Sequence, residues 1–353
     1  MIKKKIDHIH LFSTIICLMP GLLITGPFLS DLFLSLLVIS FLFLSFKNFK
    51  VFKKYYDNTF SKFFFFFWVI LILSTLFSDN IMLSIKNSFF YFRFGIFSLC
   101  VWYVLDNNRY LLKYFYYSLL FYFIILILDG FYQFKTGFNI LGFVYQSPRV
   151  SSFFGDELIL GSYFARLYPL LVGFTLYNYL KNQSSKINLI FISLIFIAVD
   201  VMVFLSGERA SFLYLNISLI MFVVLSSNFK LLRFFSFIIS ITIIFFISSV
   251  DKKPIERMYN QTIQDIQFKR DKFFFSRSHQ EIYISSLKMF KDNIFFGVGP
   301  KNYRNQCNKE KYFVDRKYYK QNSQLEITKK ISACSTHSHH TYIQLLAETG
   351  LFG

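Results

Sequence analysis

The sequence is poor in charged residues, which make up 16% of its 353 positions, whereas apolar residues make up 54%. A chain of this length would ordinarily divide into two soluble domains, but so little charge excludes that architecture. Apolar runs long enough to cross a hydrocarbon core recur along the chain instead. The composition therefore predicts an all-α polytopic membrane protein.

Acidic residues are scarce beside basic ones, 20 against 38, and the formal net charge is +18. In a soluble chain this excess would suggest a nucleic-acid partner. In a membrane protein it indicates a positional bias of Lys and Arg and an attraction to anionic lipids, so membrane lipids are expected partners and nucleic acid is not. The first apolar run also lacks a small-residue cleavage site, which indicates a retained span rather than a signal peptide.

Nine transmembrane helices are predicted in residues 1–250, which form the membrane bundle. The predicted spans are 11–29, 30–46, 63–78, 89–105, 113–129, 159–180, 187–205, 209–227 and 232–250. With the amino terminus in the cytoplasm, the loops after every second span are cytoplasmic, and these loops and their edges carry more basic residues than the short loops on the other side of the bundle. These residues are Lys47, Lys50, Lys53, Lys54, Lys62, Arg109, Lys113, Lys181, Lys186, Lys230 and Arg233.

The same orientation places residues 251–340 outside the cytoplasm as one large loop, and a tenth span begins in 341–353. Within this loop, the run from Ser278 to Glu281 matches the capping box S-x-x-E and predicts an amphipathic helix near 279–291. A turn at Gly297-Val298-Gly299-Pro300 follows. No strand–helix unit frames this Gly-x-Gly, so we do not interpret it as a nucleotide-binding loop.

The histidines His337, His339 and His340 lie close together, just after Cys334. Three interpretations remain open: a general base, a metal site that includes the cysteine, and a polar segment at the membrane interface. The chain has no second cluster of metal ligands, and neither a metal nor another cofactor is predicted.

Three arginines are predicted on the same outer side as the histidines. Arg149 precedes span six, Arg209 lies in the turn SGERAS between spans seven and eight, and Arg277 precedes the capped helix. Guanidinium groups bind phosphate through paired hydrogen bonds, so three of them on one face predict an anion site. A solvated or headgroup-bound side chain is the alternative for each. Cys307 and Cys334 also lie in the outer loop, where an oxidising compartment would allow a disulfide.

The closing residues resemble the signature H-[N/S/Q]-x9-G-x-x-G of the O-antigen ligase and polymerase superfamily. Here the pattern reads His339-His340, nine residues, and Gly350-Leu351-Phe352-Gly353. The phrases YIQLLAETGLFG and GVGPKNY are typical of the same superfamily, as is the layout of many spans followed by a large outer loop. His340 stands where Asn, Ser or Gln is usual, so His337 and His340 remain alternatives to His339.

The resemblance implies a GT-C-like helical bundle in the bacterial inner membrane with its active face in the periplasm. It implies an inverting, metal-independent glycosyltransferase that moves a glycan from a polyprenyl (undecaprenyl) diphosphate carrier to a saccharide acceptor such as lipid A–core. Carried onto this chain, the general base is His339 and the diphosphate-binding arginines are Arg209 and Arg277, with Arg149 as a secondary candidate. Members of the family continue beyond the point where this sequence stops, so an incomplete chain is expected.

Two other functions remain open from the sequence. A polymerase of the same superfamily shares the fold and the motif. A lipid-linked glycan flippase or another transporter would place polar residues along a path through the membrane and would show an internal repeat. The sequence shows no repeat, and its polar residues gather on one face, which disfavours a transporter. A ligase is the leading prediction, with a polymerase as the close alternative that the sequence does not distinguish from it.

Overall fold

The computed structural model describes residues 2–182, 186–225, 230–266, 277–319 and 326–353. Their helices and strands follow in chain order. The α-helices are α1 (Ile2–Ile24), α2 (Pro27–Lys47), α3 (Phe49–Tyr56), α4 (Thr59–Thr75), α5 (Ile81–Phe89), α6 (Phe92–Asn107), α7 (Tyr110–Thr136), α8 (Leu160–Asn182), α9 (Lys186–Leu205), α10 (Arg209–Leu225), α11 (Lys230–Val250), α12 (Lys253–Ile255), α13 (Gln261–Ile266), α14 (Arg277–Asp292), α15 (Tyr303–Gln306) and α16 (Thr341–Thr349). Strands β1 (Val314–Tyr319) and β2 (Glu326–Ile331) form an antiparallel hairpin in which Val314 lies opposite Ile331.

Within the described residues, four helical stretches are long and apolar enough to cross a membrane: Pro27–Lys47, Ile81–Asn107, Tyr110–Thr136 and Lys230–Val250. The pair α3 and α4 adds a fifth if it counts as one span, although it bends by 76° at its break. Shorter apolar helices cover His8–Ile24, Leu189–Leu205 and Arg209–Val224. The predicted all-α polytopic membrane fold is confirmed.

The helices overlap the predicted spans, but further helices lie where the hydropathy pattern predicted loops: α3 between the second and third predicted spans, and α5 before the fourth. Asn58 accepts a hydrogen bond from the backbone N–H of Ser61 and so begins α4 separately from α3. The side chain of Asn80 likewise accepts a hydrogen bond from the backbone N–H of Leu83 at the start of α5. Such amide caps satisfy N–H groups that the first helical turn leaves unpaired, and they therefore fix a new helix start. Parts of the predicted outer loop, residues 267–276 and 320–325, lie outside the described residues.

The chain divides into two compact units. The first comprises Met1–Leu37 and Tyr103–Ile263, and the second comprises Val38–Trp102 and Gln264–Gly353. The core of the first unit joins α7, α8 and α9 through buried aromatic and aliphatic side chains such as Phe123, Phe164 and Phe196.

A buried ion pair links α9 to α11 in this first unit. Asp200 accepts hydrogen bonds from both terminal nitrogens of Arg233, each at 2.7 Å, and a third from Ser240 Oγ at 2.9 Å. Both charged side chains are at most 3% exposed. The sequence pattern counted Arg233 among the charges of a cytoplasmic loop; instead it is buried as the partner of Asp200, because an unpaired charge at this depth would be costly.

In the second unit, α14 packs against α16 over a small core that includes Tyr283, Met289, Tyr303 and Ala347. Where an amphipathic helix was predicted near 279–291, α14 begins at Arg277 and ends at Asp292. Where a tenth span was predicted to begin, α16 ends after nine residues at Thr349, and Gly350 at φ +70° turns the chain out of the helix. With ψ −155°, Gly350 adopts a backbone conformation that is essentially restricted to glycine.

Candidate active site

The histidine run lies on a loop that is tied to its own unit at several points. Cys334 is joined to Cys307 by a disulfide, with the two Cα atoms 5.1 Å apart. The hydroxyl of the buried Tyr303 donates to the carbonyl of Ala333 at 3.1 Å. These two ties hold the start of the loop, and α16 holds its end from Thr341 onward.

His339 lies exposed on this loop in the left-handed backbone region, with φ +57°. Histidine visits this region more readily than most residues, but the conformation is still uncommon for a residue with a Cβ. Its Nε2 forms a 2.9 Å hydrogen bond with Ser335 Oγ. Its ring lies 4.1 Å from the ring of His337 and meets the ring of His279 edge-on at 5.3 Å, centroid to centroid. The ring is therefore held on three sides while remaining accessible.

The neighbouring histidines have different environments. His340 is the N-cap of α16, where Nδ1 accepts a 3.4 Å hydrogen bond from the N–H of Ile343 and the ring packs 5.6 Å from Tyr283. His337 Nδ1 bonds Thr336 Oγ1 at 2.9 Å. Partial burial lowers the pKa of His337, and the nearby His339, Lys301 and Arg304 lower it further. His340 thus has a structural task, and His337 is biased toward its neutral form.

Helix α14 carries a buried carboxylate, that of Glu281, between two guanidinium groups. Glu281, whose side chain is only 7% exposed, accepts two hydrogen bonds from Arg316 on β1: one from Nε at 2.8 Å and one from Nη2. Arg277 lies one helical turn before Glu281 and places its Nε 3.4 Å from the same carboxylate. Two guanidinium groups share one carboxylate, so the group keeps a formal charge of +1. The sequence pattern predicted Glu281 as the last residue of a capping box, whereas in the structure Glu281 forms ion pairs with two arginines.

Two glycine turns dock against each other beneath the histidine loop. The N–H of Val298 donates to the carbonyl of Ala347, and the N–H of Gly299 donates to the carbonyl of Glu348, both at 2.9 Å. Gly297 has φ +65°, and a Cβ there would lie 2.3 Å from the backbone carbon of Glu348. The segments GVGPKNY and YIQLLAETGLFG, which carry the resemblance, are therefore packed on each other, and the glycine permits the close backbone approach.

Polar contacts also anchor the segment after this turn within its unit. Asn302 donates to Ser84 Oγ at 2.9 Å, and Ser84 Oγ donates to the carbonyl of Pro300 at 2.8 Å. Gln306 donates to Asp79 at 2.7 Å, and Lys309 forms an ion pair with the same carboxylate. These hydrogen bonds from Lys309 and Gln306 hold the pKa of Asp79 below its ordinary value.

The first unit contains a separate group of arginines around the turn between α9 and α10. Arg149 donates from Nε to the carbonyl of Ser206 at 3.2 Å and from Nη2 to the carbonyl of Leu158 at 2.8 Å. Burial lowers the pKa of Arg149, Glu208 opposes that effect, and the nearby Arg257 and Arg209 add to it.

Glu208, the acidic residue of this turn, is hydrogen-bonded to the start of α8. Glu208 accepts hydrogen bonds from the backbone N–H groups of Gly161 at 2.7 Å and Ser162 at 3.1 Å, at the start of α8. Arg209 places Nη1 3.4 Å from Thr262 Oγ1. A Cβ on Gly207, which has φ +65°, would lie 2.8 Å from Arg149 Cγ and 3.4 Å from Arg257 Cγ. The turn therefore gathers three arginines around one glutamate that is hydrogen-bonded to a helix start.

The predicted site residues fall into these two groups. Arg277, His337, His339 and His340 belong to the second unit, and Arg149 and Arg209 belong to the first. Sequence reasoning missed His279, Glu281, Arg316 and Arg257 as neighbours of the predicted residues. The S-x-x-E pattern drew attention to Glu281, but only the hairpin register brings Arg316 to it. Among the described residues, no three His, Cys, Asp or Glu side chains are arranged to hold a metal ion, and the sulfur of Cys334 is bonded to Cys307.

Residues 191–353 match a protein-family model described as O-antigen ligase. The matched range contains Arg209, Arg277 and the three histidines, and Arg149 lies before it. No curated protein and no solved structure is significantly similar to the chain.

Proposed function

We propose that the protein transfers a glycan from a polyprenyl diphosphate carrier to a saccharide acceptor such as lipid A–core. The match of residues 191–353 to the O-antigen ligase family model supports this proposal. The proposal places the reaction on the periplasmic face of the bacterial inner membrane. It assigns the general base to His339 and diphosphate binding to Arg277, with Arg209 of the first unit as a second phosphate-binding residue.

One contact carries this assignment: the ring of His339 packs edge-on against His279 on α14, two positions after Arg277. The contact places an accessible imidazole beside the segment of α14 that bears an arginine. The guanidinium group supplies a fixed positive charge for an anion. A base and an anion-binding group therefore lie within one unit.

The hydrogen bond of His339 to Ser335 supports the role of base. Ser335 Oγ lies 2.9 Å from Nε2, and this is the distance at which an acceptor hydroxyl must lie to give up its proton. In the proposed mechanism the acceptor hydroxyl displaces Ser335 from Nε2. His340 is less suited to the task because its Nδ1 caps α16.

The proposed reaction is a single displacement. The acceptor oxygen forms a bond to the anomeric carbon, while the bond from that carbon to the carrier phosphate breaks and its electron pair leaves with the diphosphate. The acceptor proton passes to His339 Nε2, and attack opposite the leaving group inverts the anomeric configuration. Negative charge grows on the diphosphate as the bond breaks, and a guanidinium group held by Glu281 is oriented in advance to stabilise it.

The test is transfer by the purified chain in lipid, with three single variants compared. We expect His339→Ala to lower the transfer rate about 100-fold or more, as removal of a general base does. His337→Gln and Ser335→Ala should retain activity within about tenfold, since neither removes the base. Full activity in His339→Ala, with loss in His337→Gln, would move the base to His337.

A cellular experiment distinguishes ligation from polymerisation. Deleting the gene and examining lipopolysaccharide should leave bare lipid A–core if the protein is a ligase. Core that carries a single repeat unit would instead identify a polymerase. Complementation with His339→Ala should fail in either case, because both reactions need the acceptor hydroxyl activated.

A further inference from the structure

The second unit contains an apolar slot that none of the proposed catalytic residues uses. It has a volume of about 410 Å³ and lies between α4 and α6, close to the bend that separates α3 from α4. Its walls are almost entirely apolar, and the lining residues are Tyr56, Phe60, Ser61, Lys62, Phe64, Phe65, Trp68, Phe92, Gly95, Ile96 and Leu99. This size falls within the range of ligand-binding cavities in proteins, about 300–1,000 Å³.

The slot is polar at one end and apolar along the rest of its length. Tyr56, Ser61 and Lys62 line the end near the bend. Trp68 lies two helical turns further along α4, where its indole N–H donates to the carbonyls of Ser88 and Phe89, both at 3.1 Å. A ligand that fills the slot must therefore be amphipathic, with its polar part at the Lys62 end.

Gly95 shapes the wall of the slot. A Cβ at this position would lie 2.3 Å from two ring carbons of Phe64. The missing side chain lets the ring of Phe64 lie flat against α6, where it also stacks on Tyr91 at 6.3 Å. The aromatic wall thus depends on close helix approach, which indicates a built feature rather than a gap between loosely packed helices.

Helix α3, which ends at Tyr56 beside the polar end, carries positive charge. Its buried face carries Phe52, which packs on Phe41 at 5.4 Å, and Tyr55, which packs on Trp102 at 5.6 Å. Its exposed face carries Lys50, Lys53 and Lys54. A short basic amphipathic helix set at 76° to the apolar helix that follows has the arrangement of an interfacial helix.

The charge balance at the polar end favours an anion. Lys62 forms a 2.9 Å ion pair with Asp57, and Lys53 interacts with the same carboxylate. One acid therefore faces two lysines, and Lys50 and Lys54 add further positive charge on the same helix. Basic residues beside the membrane surface attract anionic headgroups by about 1 kcal/mol each.

We propose that this slot binds one anionic glycerophospholipid, with an acyl chain between α4 and α6 and the headgroup phosphate at Lys53 and Lys62. The lipid is a bound structural ligand that holds the bent pair α3–α4 in place. It is distinct from the glycan carrier, and its binding does not depend on the transfer reaction.

Tryptophan fluorescence offers a local test, because the chain has only two tryptophans, Trp68 and Trp102. The variant Trp102→Phe keeps Trp68 in the slot as the single reporter, and Trp68→Phe keeps Trp102 as its control. Each protein is reconstituted in phosphatidylcholine, and the quenching by bromine-labelled phosphatidylglycerol and phosphatidylethanolamine is compared. We expect phosphatidylglycerol to be preferred at Trp68 by about fivefold for each headgroup lysine, and by less than about twofold at Trp102.

Three further variants in the Trp102→Phe background connect the quenching to the slot. Lys53→Gln with Lys62→Gln should abolish the headgroup preference, whereas Arg109→Gln with Lys113→Gln removes the same charge from exposed positions of the first unit and should leave it intact. Ile96→Phe, which fills the slot, should lower quenching by both lipids. Equal quenching by the two lipids at Trp68 would identify ordinary boundary lipid and overturn the proposal. Stronger competition by polyprenyl phosphate than by unlabelled phosphatidylglycerol would overturn it too, by assigning the slot to the carrier.

Discussion

Arg316 binds both carboxylate oxygens of Glu281 although 35 positions separate the two residues in the chain. The contact joins the β-hairpin to α14, where Arg277 shares the same carboxylate. A capping role for Glu281 would involve backbone N–H groups and would not account for its ion pairs with two arginines. We therefore propose that Glu281 positions the guanidinium group that we assign to the diphosphate.

Replacing Glu281 with Gln tests this positioning role. The change keeps the shape of the side chain but removes the charge, so we expect the unfolding free energy to fall by about 2 kcal/mol, the scale of a hydrogen bond to a charged partner. Arg277 also loses its anchor, so the KM for the lipid-linked donor should rise more than the KM for the acceptor. Glu310→Gln is the matched control, because Glu310 is an exposed acid of the same unit. An equal rise in both KM values would indicate general loosening rather than positioning.

A methyl group at Gly297 should be severely destabilising. Gly297→Ala would bring a Cβ to 2.3 Å from the backbone of Glu348, at a φ of +65° that disfavours any side chain. We expect a loss of more than about 2 kcal/mol in stability and poor recovery of folded protein, because backbone atoms cannot rotate away as a side chain can. Gly173→Ala serves as the control, since nothing lies within 4 Å of its added Cβ. That helical substitution should be neutral or slightly stabilising.

The disulfide between Cys307 and Cys334 closes a loop of 27 positions. Loop-closure entropy for that length corresponds to about 3–4 kcal/mol of stability in the fully unfolded reference state. We expect Cys307→Ser with Cys334→Ser to lower the thermal unfolding temperature and to lower transfer, because the loop that carries His339 loses one of its two ties. Adding a reductant to the parent protein should give the same shift. Cys17→Ala, which alters a cysteine outside the disulfide, should not.

The lowered pKa of His337 makes a prediction about pH. The folded protein binds this proton less readily than the unfolded chain, whose histidine titrates near 6.5. The unfolded state therefore binds more protons as the pH falls from about 6.5, and the stability contributed by neutral His337 is lost over that range. The decrease ends once the pH is below the folded-state pKa.

Chemical unfolding of the parent and of His337→Gln between about pH 5 and 8 measures this contribution. The variant carries no titratable group at that position, so its stability should fall less steeply on acidification than that of the parent. Identical pH dependence in the two proteins would show that His337 titrates alike in the folded and unfolded states.

Hydropathy predicted the helical membrane fold because apolar length is a property of each segment alone. The bend between α3 and α4 escaped it, because residues 47–62 were predicted as a loop and the separate start of α4 depends on the cap formed by Asn58. The hydropathy pattern also failed to predict the burial of Arg233. A basic residue near a helix end is normally assigned to a loop, and only the packing of α11 on α9 shows that Asp200 is in reach.

The candidate site was predictable to the extent that it is continuous in sequence. His339 and the glycines of the closing motif lie within fifteen residues of one another, and they could be recognised as one pattern. His279 and Arg316 come from a helix and a strand whose packing no local pattern encodes. The sequence assigned the base to His339 but left His340 as an alternative, whereas in the structure His340 caps a helix and His339 lies exposed with its ring hydrogen-bonded to Ser335.

The bridge between Cys307 and Cys334 also provides an internal reporter of membrane topology. The remaining cysteines, Cys17 and Cys100, are free thiols. A thiol-reactive polymer applied to denatured, unreduced protein from whole cells should therefore add two tags if the loop matures in an oxidising compartment. It should add four if the loop stays in the reducing cytoplasm. A single gel would thus assign the side of the membrane on which His339 lies, without any engineered fusion.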